Sequence, residues 1–292
     1  IDMLTVNPCI KAAMKASPHT FDSLISDKLT ADMLPNFIYG SYIGLAVTVF
    51  GLVPTITAMF GKSILPSLAE SCAKNDKKAM QSGLTKMLIV TSIIAIPAGM
   101  GIAVLSEPIL RFLFGARETE IQVCIMPMSI LGIAVIFLAI ATPCFAILQT
   151  LGKPHKAIII MLAGGIIKLF LNIILIRQPI INISGAAIST LVSEVFICVL
   201  SVHSVCKMTD LKPKVSEIFV KPTYAAIMCS VTAILSHETL TKIAHLQINH
   251  RFVTLFSIGI GSTMYFFCLY LLCETPKNIV NYIFSKKNAQ NP

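Results

Sequence analysis

The chain of 292 residues is 55% hydrophobic and 13% charged, and it carries a formal net charge of +9. Soluble globular domains are about 25% charged, so this composition excludes an ordinary soluble protein. The positive charge does not indicate a nucleic-acid partner, because the lysines and arginines are spread over the gaps between apolar segments, as is typical of membrane proteins.

The predicted elements are seven apolar runs, most of which reach the length of about 20 residues that crosses the hydrocarbon core. In chain order they are Phe37–Leu65, Met87–Leu105, Ile121–Leu148, Ala157–Ile176, Ala186–Val205, Tyr224–Leu240 and Phe252–Cys273. The sixth run is the shortest. The first and third are too long for one untilted span, so we expect each to tilt, kink or extend past the core.

The basic residues predict the orientation of these spans. Lysines concentrate in the first, third and fifth gaps and in the C-terminal tail. The intervening gaps hold only Arg111, Arg117, Arg177, Lys242 and Arg251. The positive-inside rule then places the C-terminus in the cytoplasm and the loop before the first run outside.

The first residues, Ile1–Ile10, are typical of the end of a further span. We therefore expect the sequence to be a fragment of a longer protein, with this partial span running outward. Asp2 lies within it, where an acid is energetically costly. The sequence alone does not fix the depth of Asp2 in the membrane.

Two ionisable residues lie deep inside predicted spans, where charged groups usually face protein or water. Lys168 and Glu194 sit about nine residues on either side of one loop, so at 1.5 Å per residue both lie near the midplane. Asn172 is one helical turn from Lys168 on the same face. We expect Lys168, Asn172 and Glu194 to line a polar path. The alternatives are a structural Lys168–Glu194 pair that fixes helix register and a lysine that extends to the interface.

Prolines inside the runs predict kinks, because each removes a backbone donor. Pro54, Pro97 and Pro143 are the kink candidates. The nine cysteines have no C-x-x-C spacing, and we interpret them as packing residues. No histidine has a ligand partner at metal-binding spacing, and no phosphate-binding glycine loop is present. We therefore expect no metal and no cofactor.

Several segments, together with Ile1-Asp2, resemble in the same order the polysaccharide-exporter branch of the multidrug/oligosaccharidyl-lipid/polysaccharide flippase superfamily. This branch includes stage V sporulation protein B, and lipid II flippases are more distant relatives. The segments are YGSYIGLAV (Tyr39–Val47), SILPSLAES (Ser63–Ser71), IPAGMGIAVLSEPILRFLFG (Ile96–Gly115), AILQTLGKPHKA (Ala146–Ala157), ISGAAISTLVSE (Ile183–Glu194) and VKPTYAAIMCS (Val220–Ser230).

The resemblance implies an all-α fold of fourteen transmembrane helices in two six-helix lobes plus two final helices. This chain would supply part of helix 7 and helices 8–14. Residues 1–206 would form the C-terminal lobe, residues 207–273 the two additional helices, and residues 274–292 a cytoplasmic tail. The missing N-terminal lobe would then be a partner of this chain.

The resemblance also implies a flippase of the bacterial plasma membrane rather than an enzyme. Its substrate would be an undecaprenyl-linked oligosaccharide or a peptidoglycan precursor, moved by alternating access of the two lobes. Lipid II flippases carry an arginine cluster in the cavity, whereas no arginine lies within a run here. Either the substrate differs from lipid II or the absent lobe recognises the phosphate, and Lys168 is the intramembrane cation in this sequence that could contact a pyrophosphate.

Three alternatives remain open. A cation-coupled exporter of the multidrug and toxin extrusion type would use Asp2 or Glu194 as an ion or proton site. A membrane-embedded glycosyltransferase or ligase would need catalytic residues in a sizeable outer loop, and the outer loops here are short. A scaffold without transport activity would show sealed packing between lobes.

Overall fold

The computed structural model describes residues 2–16, 30, 32–74, 76–210, 216–244 and 250–272. Within these residues the regular elements are all helical. The α-helices are α1 (Asp2–Ala16), α2 (Leu34–Ser41), α3 (Thr48–Phe50), α4 (Leu52–Ala73), α5 (Lys77–Val104), α6 (Ser106–Phe114), α7 (Glu118–Thr150), α8 (Pro154–Leu175), α9 (Ser184–Thr209), α10 (Lys221–Ala244) and α11 (His250–Leu272). Two π-helical segments, Tyr42–Val47 and Ser216–Val220, lie between them.

The seven predicted spans are confirmed. Among the described residues, seven helical segments are long and apolar enough to cross a membrane: Leu34–Ser71, Lys77–Val104, Glu118–Thr150, Pro154–Leu175, Ser184–Thr209, Ile218–Lys242 and Phe252–Leu271. A helix satisfies its backbone hydrogen bonds internally, which hydrocarbon requires of a spanning segment. The prediction of an all-α, multi-pass bundle is therefore confirmed as well.

The long first span is interrupted rather than straight. Its helix passes through the π-helical segment Tyr42–Val47 and then through a turn at Gly51. Pro54 follows in the first turn of α4, where a missing N–H costs little because the first four N–H groups of a helix have no intrahelical acceptor. The Thr55 hydroxyl donates to the Gly51 carbonyl at 2.8 Å, which satisfies a backbone acceptor beside the interruption.

Helix α7 is the centre of the bundle and contacts α4, α5 and α9 extensively. Its contact with α5 is unusually close, since a Cβ built on Gly132 would lie 2.5 Å from the Ala103 nitrogen. Ser129 reinforces this contact by donating to the Ala103 carbonyl at 2.7 Å. Pro97 and Pro143 lie in the interiors of α5 and α7. Whether these prolines serve as kinks in transport stays a prediction.

The last two spans form a hairpin, α10 with α11, that contacts the rest of the chain chiefly through α5 and α6. The Tyr265 hydroxyl on α11 donates to the Ile93 carbonyl on α5 at 2.8 Å. The boundary predicted between residues 206 and 207 falls inside α9, which continues to Thr209. The division into a lobe and two further helices stays a prediction, and the tail 274–292 lies outside the described residues.

A charged brace joins α6 to the start of α7. The Arg111 guanidinium donates from Nε to Glu107 Oε1 at 2.9 Å, and from Nη1 and Nη2 to the two oxygens of Glu118 at 2.6 and 2.8 Å. Hydrogen bonds to Glu118 and Glu107 hold the pKa of Arg111 above its usual value. The brace ties the short helix α6 to the core helix α7.

Removing this brace is expected to have a small effect, because all three side chains are about half exposed and exposed ion pairs contribute about 0–1 kcal/mol. We expect Arg111→Met to lower the free energy of unfolding by less than about 1 kcal/mol, as measured by denaturation in detergent micelles. Arg117→Met is the matched control, because Arg117 makes a single 3.3 Å contact with Glu120. A loss of several kcal/mol on Arg111→Met would show that α6 is essential to the fold.

Candidate functional site

A polar cluster lies among the apolar residues of α1, α8 and α9. The Lys168 ammonium on α8 donates to Asp2 Oδ2 on α1 at 2.7 Å. The two side chains are 19% and 18% exposed, so this ion pair is largely buried. A buried pair is stable only when further hydrogen bonds satisfy the remaining polar atoms.

Asn172 supplies those further hydrogen bonds. Its side chain is fully buried, and its Nδ2 donates to Asp2 Oδ1 at 3.0 Å and to Thr5 Oγ1 at 3.1 Å. Ser189 on α9 donates to Asn172 Oδ1. The amide thus uses both donors and its acceptor, and it connects all three helices.

Glu194 lies beside this network but outside it. Its Oε2 atom is buried and has no hydrogen-bond partner. Lys168 is within electrostatic range of Glu194, yet the ion pair that Lys168 makes is with Asp2. The sequence placed Lys168 and Glu194 at one depth and left their pairing open. The structure gives the lysine a different partner because α1 packs against α8 at this level.

Tyr42 borders the cluster from the π-helical segment of the first span. It is 1% exposed, and its hydroxyl lies near Thr190 on α9 and within electrostatic range of Asp2. π-helical turns inside spans are frequent at functional sites. This turn therefore places an aromatic hydroxyl next to the charged pair.

The sequence did not indicate Thr5, Ser189 or Tyr42 as residues of this site. A helical pattern could have indicated Thr5, which follows Asp2 by three residues and so shares its face of α1. Ser189 and Tyr42 carry no such signal, because serine and tyrosine are common in spans and their contacts with the cluster come from tertiary packing. The four predicted residues Asp2, Lys168, Asn172 and Glu194 do lie in one region.

Two recesses lie outside this cluster. An apolar recess of about 460 Å³ between α5, α10 and α11 is lined by Pro97, Gly101, Cys229 and Tyr265 among others. A larger recess of about 800 Å³, at the end of α5 and α6, is lined in part by polar side chains. Neither recess brings a cofactor-binding motif together.

The described residues contain no cluster of three or more histidine, cysteine or acidic side chains that could hold a metal ion. The cysteines that the structure describes are free thiols, and most of them are buried. They are Cys9, Cys124, Cys144, Cys198, Cys206, Cys229 and Cys268. Their burial agrees with the interpretation of these residues as small apolar packing groups.

A sequence profile described as lipid II flippase MurJ matches residues 40–254. The chain belongs to the MurJ lipid II flippase family. This match confirms the resemblance found in the sequence motifs. The flippase-family region covers most of the interrupted first span and five full spans after it. It includes three of the four predicted site residues, Lys168, Asn172 and Glu194.

Curated relatives carry related names. The chain is 27% identical over 186 residues to the "Probable low-salt glycan biosynthesis flippase Agl15" of Haloferax volcanii, covering 62% of this chain and 38% of that protein. It is 26% identical over 136 residues to "Lipid II flippase MurJ" of Bacillus subtilis, covering 47% and 25%. "Stage V sporulation protein B" of Bacillus subtilis is 22% identical over 184 residues, covering 61% and 34%. The chain thus spans between a quarter and two fifths of these relatives' length.

A solved structure shows the same fold. It is described as the inward-facing conformation of a multidrug resistance MATE family transporter of the MOP superfamily. The match has a TM-score of 0.51 at 15% identity and covers 87% of this chain and 57% of that transporter. At this identity the likeness concerns the fold alone. It agrees with the transporter bundle predicted from the sequence.

Proposed function

We propose that this flippase-family chain forms the C-terminal part of a transporter that moves a lipid-linked oligosaccharide or a peptidoglycan precursor across the bacterial plasma membrane. The observation that carries this proposal is a largely buried Asp2–Lys168 pair, joined to Asn172, in the midst of apolar spans. Charged residues at such depth are costly and typically mark a substrate or ion pathway. The family match over residues 40–254 supports a lipid-linked substrate.

Transport in this proposal is alternating access, in which residues 1–206 rock against an N-terminal lobe outside this sequence. Residues 207–273 add two peripheral helices, and the tail lies in the cytoplasm. Pro54, Pro97 and Pro143, which lack a backbone donor, let the spans bend. Movement of a lipid across a membrane breaks no covalent bond, so neither a catalytic residue nor a cofactor takes part.

Asp2, Lys168, Asn172 and Glu194 form the polar wall of the path in this proposal. Lys168 is the cation within these spans that can attract a pyrophosphate, as a point charge rather than as a planar fork. Its ion pair with Asp2 keeps the ammonium neutralised until a substrate phosphate competes for it. Loss of the Asn172 amide is therefore expected to disturb the position of both charges.

An exporter of the multidrug and toxin extrusion type is the second candidate, favoured by the fold likeness to a MATE transporter. Such an exporter would bind cations at acids in its cavity. The Asp2 carboxylate already accepts hydrogen bonds from Lys168 and Asn172, which leaves it less suited to an organic cation. The lipid-linked anion is therefore the preferred substrate class.

The test is a flipping assay with the intact transporter in lipid vesicles. A fluorescent undecaprenyl-linked saccharide in the outer leaflet is quenched by an added reductant, and flipped molecules are protected. We expect the transporter to protect the labelled lipid, and we expect Asn172→Leu to reduce this protection at least tenfold. Gln178→Leu, which replaces an exposed amide in the α8–α9 loop, is the matched control. Export of an organic cation without any movement of the labelled lipid would favour the second candidate.

A further inference from the structure

The charges in the polar cluster do not balance. Two carboxylates, Asp2 and Glu194, share one ammonium, that of Lys168, which is bound to Asp2 at 2.7 Å. Asn172 and its partners Thr5 and Ser189 are neutral. Hydrocarbon surroundings strongly disfavour an uncompensated charge. The cluster therefore has one cation too few for two ionised carboxylates. The carboxylate without a cation is that of Glu194, whose Oε2 is buried without a hydrogen-bond partner.

The neighbouring helices do not supply the missing charge. Among the described residues, Lys168 on α8 is the charged side chain in electrostatic range of Glu194. On α9 itself the nearby titratable group is the Cys198 thiol, and from α7 the Cys144 thiol faces Cys198. On the side of α1 lie Asp2, already paired, and the Tyr42 hydroxyl. A thiol or a phenol carries no positive charge.

We propose that Glu194 is a proton-binding site whose carboxyl is protonated and neutral while Lys168 is paired with Asp2, and that this proton passes through water to Asp2 when Lys168 moves from Asp2 to Glu194. The step is balanced, since the O–H bond on Glu194 breaks, an O–H bond forms on Asp2, and the lysine remains an ammonium throughout. The proton site is inferred from the buried Glu194 oxygen beside the Asp2–Lys168 pair. Its coupling to transport rests on the proposed function.

The lysine can reach both acids. Helices α8 and α9 approach closely at Gly164, where an added Cβ would lie 2.4 Å from Ile197 Cγ1 and 3.5 Å from Ser193 Oγ. Lys168 is one helical turn after Gly164, and Glu194 follows Ser193, so both side chains begin at neighbouring levels of one helix contact. A lysine has a flexible four-carbon stem and a compact charged end, which suits exchange between two carboxylates.

A proton fits this site better than a metal ion. Cations such as Ca²⁺ and Mg²⁺ need several oxygen ligands, and the described residues offer no group of three or more metal-ligating side chains. The amide and hydroxyls around Asp2 are already hydrogen-bonded to one another. The buried oxygen of Glu194 has no polar neighbour at hydrogen-bond distance, and a proton needs only that one atom.

The test is infrared spectroscopy of the intact transporter in lipid nanodiscs during a pH titration. We expect a protonated-carboxyl carbonyl band at neutral pH that disappears reversibly at alkaline pH and is absent from Glu194→Gln. The matched control Glu238→Gln, which removes an exposed carboxylate on α10, should leave the band unchanged. A band that persists in Glu194→Gln, or that Na⁺ removes at constant pH, would overturn the proposal.

A second pair of variants tests the part of Lys168. Lys168→Met leaves Asp2 without its cation, so we expect about a twofold increase in the protonated-carboxyl band, whereas Lys168→Arg should retain the wild-type band. No change in the band with Lys168→Met would contradict the shared-ammonium account. A wild-type band in a protein that flips no labelled lipid would support the proton site and reject the proposed function. Lipid flipping by a protein that shows no such band would support the proposed function and reject the proton site.

Discussion

Lys168→Met is expected to lower the free energy of unfolding by about 3–5 kcal/mol, because removing one partner of a buried ion pair leaves the other charge uncompensated. Asp2 would keep its hydrogen bond from Asn172 but lose the ammonium at 2.7 Å. Equilibrium denaturation in mixed micelles measures this loss. We expect Asp2→Asn with Lys168→Met to recover most of it, since the double variant buries no charge.

The matched control for this prediction is Lys77→Met, which breaks an exposed ion pair with Asp210 whose two side chains are each 72% exposed. Exposed pairs contribute about 0–1 kcal/mol, so this control should remain near the wild-type stability. If the single variant Lys168→Met were as stable as the control, the pair with Asp2 would be solvated rather than buried.

Gly132→Ala is expected to have the second large effect. The added methyl group would lie 2.5 Å from the Ala103 nitrogen and 2.9 Å from the Gly99 carbonyl oxygen. Both are backbone atoms, so α5 and α7 must separate to accommodate it. Overpacking of this kind costs about 1–3 kcal/mol, and small residues at helix contacts are what allow close approach in membranes. Thermal denaturation in detergent measures the loss.

Gly101→Ala provides the control in the neighbouring helix. No heavy atom outside its own helix segment lies within 4 Å of a Cβ built at Gly101. Alanine is favoured over glycine in a helix by up to about 1 kcal/mol, so this variant should match or exceed the wild-type stability. Equal stability of the two variants would mean that the α5–α7 contact is looser than the structure indicates.

The spans and the depth of the charged residues were predictable from the sequence for a physical reason. The length and composition of a spanning helix are dictated by the hydrocarbon core, so the seven runs appear directly in the chain. Lys168 and Glu194 flank one short loop, and the helical rise then fixes their common depth.

The partner of Lys168 was not predictable. Asp2 lies 166 residues away along the chain, and only the packing of α1 against α8 brings the two together. Periodicity within one helix carries no information about such a contact. The same reasoning applies to Ser189, which reaches Asn172 from the next helix.

The interruption of the first span was predicted only in part. The run was too long for a single straight helix and contained Pro54, which indicated a break. The structure places the irregular backbone earlier, at Tyr42–Val47 and Gly51. Hydropathy does not distinguish a π-helical turn from an α-helical one, because both satisfy their backbone groups internally.

Transport by the double variant Asp2→Asn with Lys168→Met tests the central claim most directly. This variant removes both charges of the pair and should remain folded, so a defect in it is not a defect of stability. The measurement is the protected fraction of a fluorescent undecaprenyl-linked saccharide in vesicles that contain the intact transporter. We predict flipping by the wild type and background protection for the double variant. Wild-type flipping by the double variant would contradict a transport role for the buried pair and leave it a structural element.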